Sequence, residues 1–156
     1  MSAEIIDGRK VAALMRASVR EDVEQWVAKG NRRPFLQVVL VGDDPASIVY
    51  TGTKTKACAD VGIETNTLVL QDTISARELK ETIQRLNEDD SVDGILVQMP
   101  LPAHLSKYDV IESIDHRKDV DGFHPMNVGN LSSGYESSIP CTPLGCYLLI
   151  KKIEPN

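Results

Sequence analysis

The sequence predicts an α/β protein in three layers, a parallel β-sheet flanked by helices. Short apolar runs alternate with longer amphipathic stretches, which favours parallel strands joined by right-handed crossovers over both faces of one sheet. One run, Ile95-Leu96-Val97, is apolar at every position, as in a strand buried on both sides. A length of 156 residues suffices for one domain with a sizeable core and is too short for two ordinary ones.

Between residues 7 and 29, Val11, Leu14, Met15, Val19, Val23, Trp26 and Val27 recur at three- and four-residue spacing. That periodicity predicts an amphipathic helix closed by Gly30, with Trp26 packing rather than binding. Residues 36–41 form an apolar run ending in Gly42, a strand emptying into a turn. Asp44 offers an acceptor to orphan N–H groups and Pro45 suits the first helical position, so a helix starts there and runs to Gly62. Its Ile48, Val49, Ala57 and Val61 are expected to face a core. Residues 63–70 alternate well enough for a strand. Ser75 and Glu78 have capping-box spacing and open a helix with Leu79, Ile83 and Leu86 inward. Residues 92–97 are the next strand, and Ser106 caps a short helix through Val110, Ile111 and Ile114. From 115 to 142 the periodicity gives way to Gly, Asn, Ser and Pro; a loop of that length is usually functional or disordered. Thr142-Pro143 then opens a last helix over 144–153.

Hydrophobic residues make up 42% and charged residues 26%, a soluble globular composition. The net charge of −6, with no basic block interleaved with aromatics, argues against nucleic acid or an anionic membrane as partner. Cys58, Cys141 and Cys146 are odd in number and lack paired ligand spacing, so reduced thiols and no metal site are expected. With no apolar signal-peptide core and no run of membrane-spanning length, the expected location is the cytoplasm.

Residues 43–57 carry the densest set of chemically useful side chains. On a helix starting at Pro45, Ser47, Tyr50 and Lys54 fall at i, i+3 and i+7 and share one face. A hydroxyl, a phenol and an amine then lie beyond the carboxyl end of a strand, where open α/β folds keep their ligands. A partly buried ring beside a solvated amine has the same spacing. Gly52 sharpens the contrast, because glycine inside a helix costs roughly 1 kcal/mol against alanine. In the run from Asp93 to Pro102, Gln98 ends a buried strand, where its two-faced amide suits orienting an amine or a substrate, or merely closes a turn. The run from Lys118 to Pro125 offers carboxylates and His124 in a loop, or an Asx turn beside a surface histidine. Pro140-Cys141-Thr142-Pro143-Leu144-Gly145 is a rigid corner into a helix start, a ligand wall or simply a cap.

In chain order, V-G-D-D-P-A-S-x-x-Y-x-x-x-K-x-K-A, D-G-I-L-V-Q-x-P-L-P, K-D-V-D-G-F-H-P-x-N-x-G and P-C-T-P-x-G resemble the bifunctional methylenetetrahydrofolate dehydrogenase/methenyltetrahydrofolate cyclohydrolase family over essentially the whole chain. The resemblance implies that residues 1–156 are the family's N-terminal, folate-binding catalytic domain. Its last helix would lead to a C-terminal Rossmann domain that is missing here, and with it the NADP site. It further implies Lys54 as the catalytic amine, Tyr50 as the ring stacking on folate's aminobenzoyl group, Gln98 as the amide that positions Lys54, and Ser47 as support for Lys54. Asp121 would accept from the pterin's N–H donors, with Asp119 the weaker candidate of the pair, and Pro100, Leu101, Pro143 and Gly145 would wall the pterin slot. The implied chemistry is NADP-linked oxidation of 5,10-methylenetetrahydrofolate and hydrolysis of the methenyl product to 10-formyltetrahydrofolate. Folate is the expected partner, a homodimer the expected full-length assembly, and purine, histidine and methionine biosynthesis the expected setting.

Two departures stand out. Thr51 follows the tyrosine where the family commonly has valine, and no G-x-G-x-x-G occurs, so no dinucleotide site is expected in this chain. The short-chain dehydrogenases also use Tyr-x-x-x-Lys, but they resemble a Rossmann fold with an early Gly-rich turn and a serine well before the tyrosine. Here Ser47 precedes Tyr50 by only three residues. The rival of another class is a non-catalytic folate-binding or dimerisation module.

Overall fold

The computed structural model describes residues 5–153 as six helices and three strands. In order these are α1 (Gly8–Ala28), β1 (Phe35–Val41), α2 (Pro45–Asp60), β2 (Glu64–Leu70), α3 (Ala76–Glu88), β3 (Gly94–Val97), α4 (Lys107–Ser113), α5 (Pro125–Ser132) and α6 (Cys141–Ile153). The strands form one parallel sheet in the order β2-β1-β3. Phe35 aligns with Glu64 on one side and Leu36 with Gly94 on the other. A single bridge between Ile95 and Asp119 adds the start of the following loop to the free side of β3. The expected lead from α6 into a further domain falls on residues 154–156, outside the described residues.

Local chemistry explains most boundaries. Asp44 accepts from the Ser47 amide at 2.8 Å and Pro45 takes the first helical position, so α2 starts directly beyond the β1 turn. That turn runs through Gly42 at φ 84°, a left-handed conformation that suits glycine. The capping box of α3 is complete: Ser75 Oγ accepts from the Glu78 amide and the Glu78 carboxylate accepts from the Ser75 amide.

The sheet is buried on both faces. Val39, Val41, Ile95 and Val97 pack with Leu79 and Ile83 of α3 and with Leu105, Val110 and Ile114 in the main core. Val38, Leu40 and Leu96 are equally buried on the alternate face. Inward-facing Leu79 and Ile83 agree with the sequence expectation, and Leu86 packs at the core's margin.

Three expectations are corrected. Residues 115–142 are not one continuous loop, because α5 forms within them. Ile48 and Val49 face solvent, and Ser47 and Thr51 take the buried face of α2 instead. Helix periodicity settles this choice: residues 47 and 51 are one turn apart, and the sheet face they meet is already filled by Val38, Leu40 and Leu96. The apolar stripe of α1 buries only Val23 among the described residues, leaving Leu14, Met15 and Val19 exposed. Trp26 is half-exposed and serves as a tether, its Nε1 donating to the Arg32 carbonyl at 3.0 Å.

Candidate active site

The site is assembled where β1 and β3 end. A cavity of about 700 Å³ opens there between α2, the exit of β3, the loop after residue 118 and the first turn of α6. Ser47, Tyr50 and Lys54 line it from α2, Gln98 and Pro100 from the exit of β3, and Asp121 from the loop. Six of the residues singled out in the sequence thus meet around one space.

Lys54 reaches across the cavity and donates from Nζ to Gln98 Oε1 at 3.0 Å. The other end of that amide is also fixed, with Nε2 donating to the Met99 carbonyl at 2.6 Å. An amide held at both ends can present only its oxygen to the amine. The Tyr50 ring is 66% exposed at the rim, so one face is open to a planar ligand. Ser47 is buried, yet its hydroxyl finds no hydrogen-bond partner among the described residues; its contact with the lysine is a shared wall, not a bond.

Asp121 is the electrostatically unusual member. Burial holds its carboxyl above the ordinary aspartate range; Lys54 pulls it down, and the neighbouring Asp119 carboxylate pushes it up again. Asp119 itself is only 3% exposed and is spent on the loop, accepting from the amides of Asp121, Gly122 and His124 and from the Asn127 side chain. Asp119 makes the Asx-type turn, and Asp121 lines the cavity. His124 caps α5, its Nδ1 accepting from the Met126 amide at 3.1 Å. Gly122 sits at φ 69°, and a Cβ there would meet the Ser138 carbonyl oxygen at 2.7 Å, so the turn requires glycine.

Leu101, Pro143 and Gly145 do not line this cavity. Leu101 lies past the turn, packed at the core's margin and on a second, apolar hollow between that turn, α4 and Phe123. Because α6 begins at Cys141, its first turn brings Cys141 and Thr142 to the wall, while Pro143 points to solvent and Gly145 lies a turn further on. Cys58 also lines the cavity, and burial pushes its thiol up. It stands one helical turn after Lys54, so the spacing that gathered Ser47, Tyr50 and Lys54 could have found it. Among the described residues no group of His, Cys, Asp and Glu is arranged to hold a metal ion, and no helix is long and apolar enough to cross a membrane.

Known proteins share this fold. The family model for the tetrahydrofolate dehydrogenase/cyclohydrolase catalytic domain matches residues 6–121. The bifunctional protein FolD of Pelagibacter ubique (strain HTCC1062) is 53% identical over 152 residues, covering 97% of this chain and 54% of that protein. The crystal structure of the bifunctional FolD methylenetetrahydrofolate dehydrogenase/cyclohydrolase from Campylobacter jejuni superposes with a TM-score of 0.94 at 45% identity, over 98% of this chain and 54% of the other. The Trypanosoma brucei N5,N10-methylenetetrahydrofolate dehydrogenase-cyclohydrolase, solved with NADP cofactor and inhibitor, gives 0.89 at 30% identity, over 100% of this chain and 54% of that one. The chain spans about half the length of the curated relatives it matches. With the family model matching residues 6–121 and relatives and solved structures matching nearly all of its length, the chain belongs to the tetrahydrofolate dehydrogenase/cyclohydrolase catalytic-domain family.

Proposed function

We propose that this chain binds a reduced folate in the cavity between Tyr50, Gln98 and Asp121 and supplies the catalytic groups for one-carbon interconversion at that folate. The observation that carries the reading is the Lys54–Gln98 hydrogen bond, which holds an amine in a cavity also lined by the half-buried Asp121 carboxylate and by an exposed aromatic ring. The parts suit the halves of the ligand. Tyr50 stacks on the aminobenzoyl ring, and Asp121 accepts from the amino and ring N–H donors of the pterin.

In the hydrolytic step, water adds to the cationic methenyl carbon of 5,10-methenyltetrahydrofolate and one C–N bond of the bridge breaks, giving 10-formyltetrahydrofolate and a proton. Lys54, held by Gln98 Oε1, is the group placed to take a proton from the attacking water. Ser47 shares its wall and excludes bulk water behind it. Pro100 lines the cavity beside Gln98, whereas Leu101, Pro143 and Gly145 are not on its wall.

In the preceding oxidation, a hydride leaves the one-carbon bridge of 5,10-methylenetetrahydrofolate for NADP. This chain's part is to hold the bridge in place, since such transfer depends on positioning within about 3–3.5 Å. The turns at the carboxyl ends of β1 and β3 carry Asp43, Asp44 and prolines where dinucleotide phosphates want bare backbone N–H groups. NADP is therefore assigned to a partner domain. The family reading adds a homodimeric assembly and cytoplasmic supply of one-carbon units for purine, histidine and methionine synthesis.

Incubating the chain with 5,10-methenyltetrahydrofolate and following 10-formyltetrahydrofolate by chromatography tests the reading. The expected result is hydrolysis above the buffer rate without NADP. Folate binding without turnover would leave a binding module, and no binding would remove the folate assignment. Titration with NADP is expected to show no saturable site; micromolar binding would overturn the division of labour.

A further inference from the structure

The Asp119 carboxylate is the most heavily bonded acidic side chain in the loop, yet it contributes nothing to the lining of the cavity. Its Oδ1 accepts from the amides of Asp121 at 3.2 Å and Gly122 at 3.1 Å. Its Oδ2 accepts from the His124 amide at 2.8 Å and from Asn127 Nδ2 at 3.0 Å. The same Asn127 nitrogen donates to the His116 carbonyl at 2.8 Å, and Ser137 Oγ donates to the Asn127 backbone and side-chain oxygens at 3.0 and 3.2 Å. Asp119 is anchored from behind by the sheet, through the bridge to Ile95.

Four N–H groups gathered by one buried carboxylate define the path of the backbone from 121 to 127, and so fix where the Asp121 side chain leaves it. Through Asn127 and Ser137 the same node reaches the segment that delivers Cys141 and Thr142 to the opposite wall.

We propose that Asp119 is the positioning residue of this site: its buried carboxylate shapes the loop that holds Asp121 in the cavity and ties that loop to the wall formed by the start of α6. The value of this role to ligand binding rests on the folate reading above; the effect on Asp121 does not. A second consequence is electrostatic. Asp119 is one of the charges that hold the Asp121 carboxyl above the ordinary aspartate range, against the pull of Lys54. The other titratable groups lining the cavity are Asp44, Tyr50 and Cys58 from α2 and its cap, and Cys141 from α6.

The test compares the parent chain with Asp119→Asn, Asp121→Asn and the double variant. Asparagine keeps the size of the side chain but presents one N–H₂ group to donors that need an acceptor. The first readout needs no ligand. Carboxyl carbon NMR of Asp121 is expected to titrate at lower pH in Asp119→Asn than in the parent while amide signals remote from the loop stay in place, whereas a general loss of folding would move both. The second readout is calorimetric titration with 5-formyltetrahydrofolate, with an expected loss of at least tenfold in Asp119→Asn. Because the two residues act on one loop, the loss in the double variant should be smaller than the sum of the two single losses.

An unchanged Asp121 titration, unchanged affinity, or additive losses in the double variant would each overturn the proposal. A parent that fails to bind folate, together with a shifted Asp121 titration, would sink the folate reading and leave the positioning role standing. Should Asp119→Asn not fold, Asn127→Ala removes one of the four donors and leaves the carboxylate. The Gly122 and His124 amides should then exchange with solvent faster than in the parent, and unchanged exchange would count against the node.

Discussion

At the amino-terminal ends of the strands, cationic side chains are matched to acceptors; at the carboxyl-terminal ends, polar groups are buried and left incomplete. At the base, Arg32 clasps Asp93 with both terminal nitrogens, at 2.6 and 2.9 Å, while Asp93 also accepts from the Phe35 amide. Arg20 donates to the last carbonyl of α2, Arg33 to the Gly62 carbonyl, and Lys118 to the carbonyls of Leu86 and Asp89. On α2, the Ser47 and Thr51 hydroxyls are buried with no hydrogen-bond partner among the described residues, and at the mouth Asp121 is held above its ordinary range. A buried polar group without a partner costs roughly 1–3 kcal/mol. Among the described residues that cost falls on α2, the helix that lines the cavity, apart from the paired charges at the base.

The largest expected effect is at the mouth. Lys54→Arg keeps the charge but removes a group that can lose its proton, so hydrolysis of 5,10-methenyltetrahydrofolate should fall by at least 10²-fold, the scale of general acid–base catalysis. Near-parental turnover would take the base role from Lys54. Asp121→Asn comes next. It turns an acceptor toward the pterin donors into a donor, and calorimetry with 5-formyltetrahydrofolate should show at least tenfold weaker binding, about 1.4 kcal/mol.

The same substitution should raise stability at neutral pH. The folded chain holds the Asp121 proton to higher pH than the unfolded chain, so stability falls as pH rises through that window. Asp121→Asn should therefore melt above the parent at pH 7 and lose the advantage below the ordinary aspartate range. An equal melting temperature at both pH values would erase the contrast between the two ends.

The base should behave in the opposite sense. Desolvation favours the protonated Asp93, but the Arg32 guanidinium and the Phe35 amide outweigh it and hold the carboxyl below its ordinary range. Its contribution is present at neutral pH and fades as pH falls through that lowered value. Asp93→Ala should cost about 1 kcal/mol in urea unfolding, a modest figure because both partners are half-exposed, and leave folate affinity alone. The smallest effect is a gain. Thr51→Val exchanges an unpartnered buried hydroxyl for a methyl of equal size, so it should stabilise by roughly 0.5–1 kcal/mol. A loss of stability would mean that the hydroxyl has a partner.

The comparison also explains what the amino-acid pattern could disclose. Asp44-Pro45 and Ser75-x-x-Glu78 are local chemistry, and both helices start where those residues require. Helix α5 is hard to read in the sequence because Gly129 and Asn130 interrupt any apolar stripe; the His124-Pro125 start is the available signal. Ile48 and Val49 misled for a different reason. Burial on α2 follows which face meets the sheet, and the two hydroxyl residues lie on that face while the larger apolar ones lie off it. The alignment of Ser47, Tyr50 and Lys54 was legible as helix geometry, and the partnership of Lys54 with Gln98 was supplied by family resemblance, not spacing. Cys141 and Thr142 could be placed on the wall only once the first residue of α6 was known.

The span between Lys54 and Gln98 also bears on how the protein is made. The two residues are 44 positions apart, with all of β2 and α3 between them. At a synthesis rate of roughly 5–20 residues per second, Gln98 is added about two to nine seconds after Lys54. The β1–β2 pair and α2 can form in that interval, but β3 still has to enter on the far side of β1. Through that interval β1 has no strand on its β3 flank, and the Lys54 amine has water in place of Gln98 to bond.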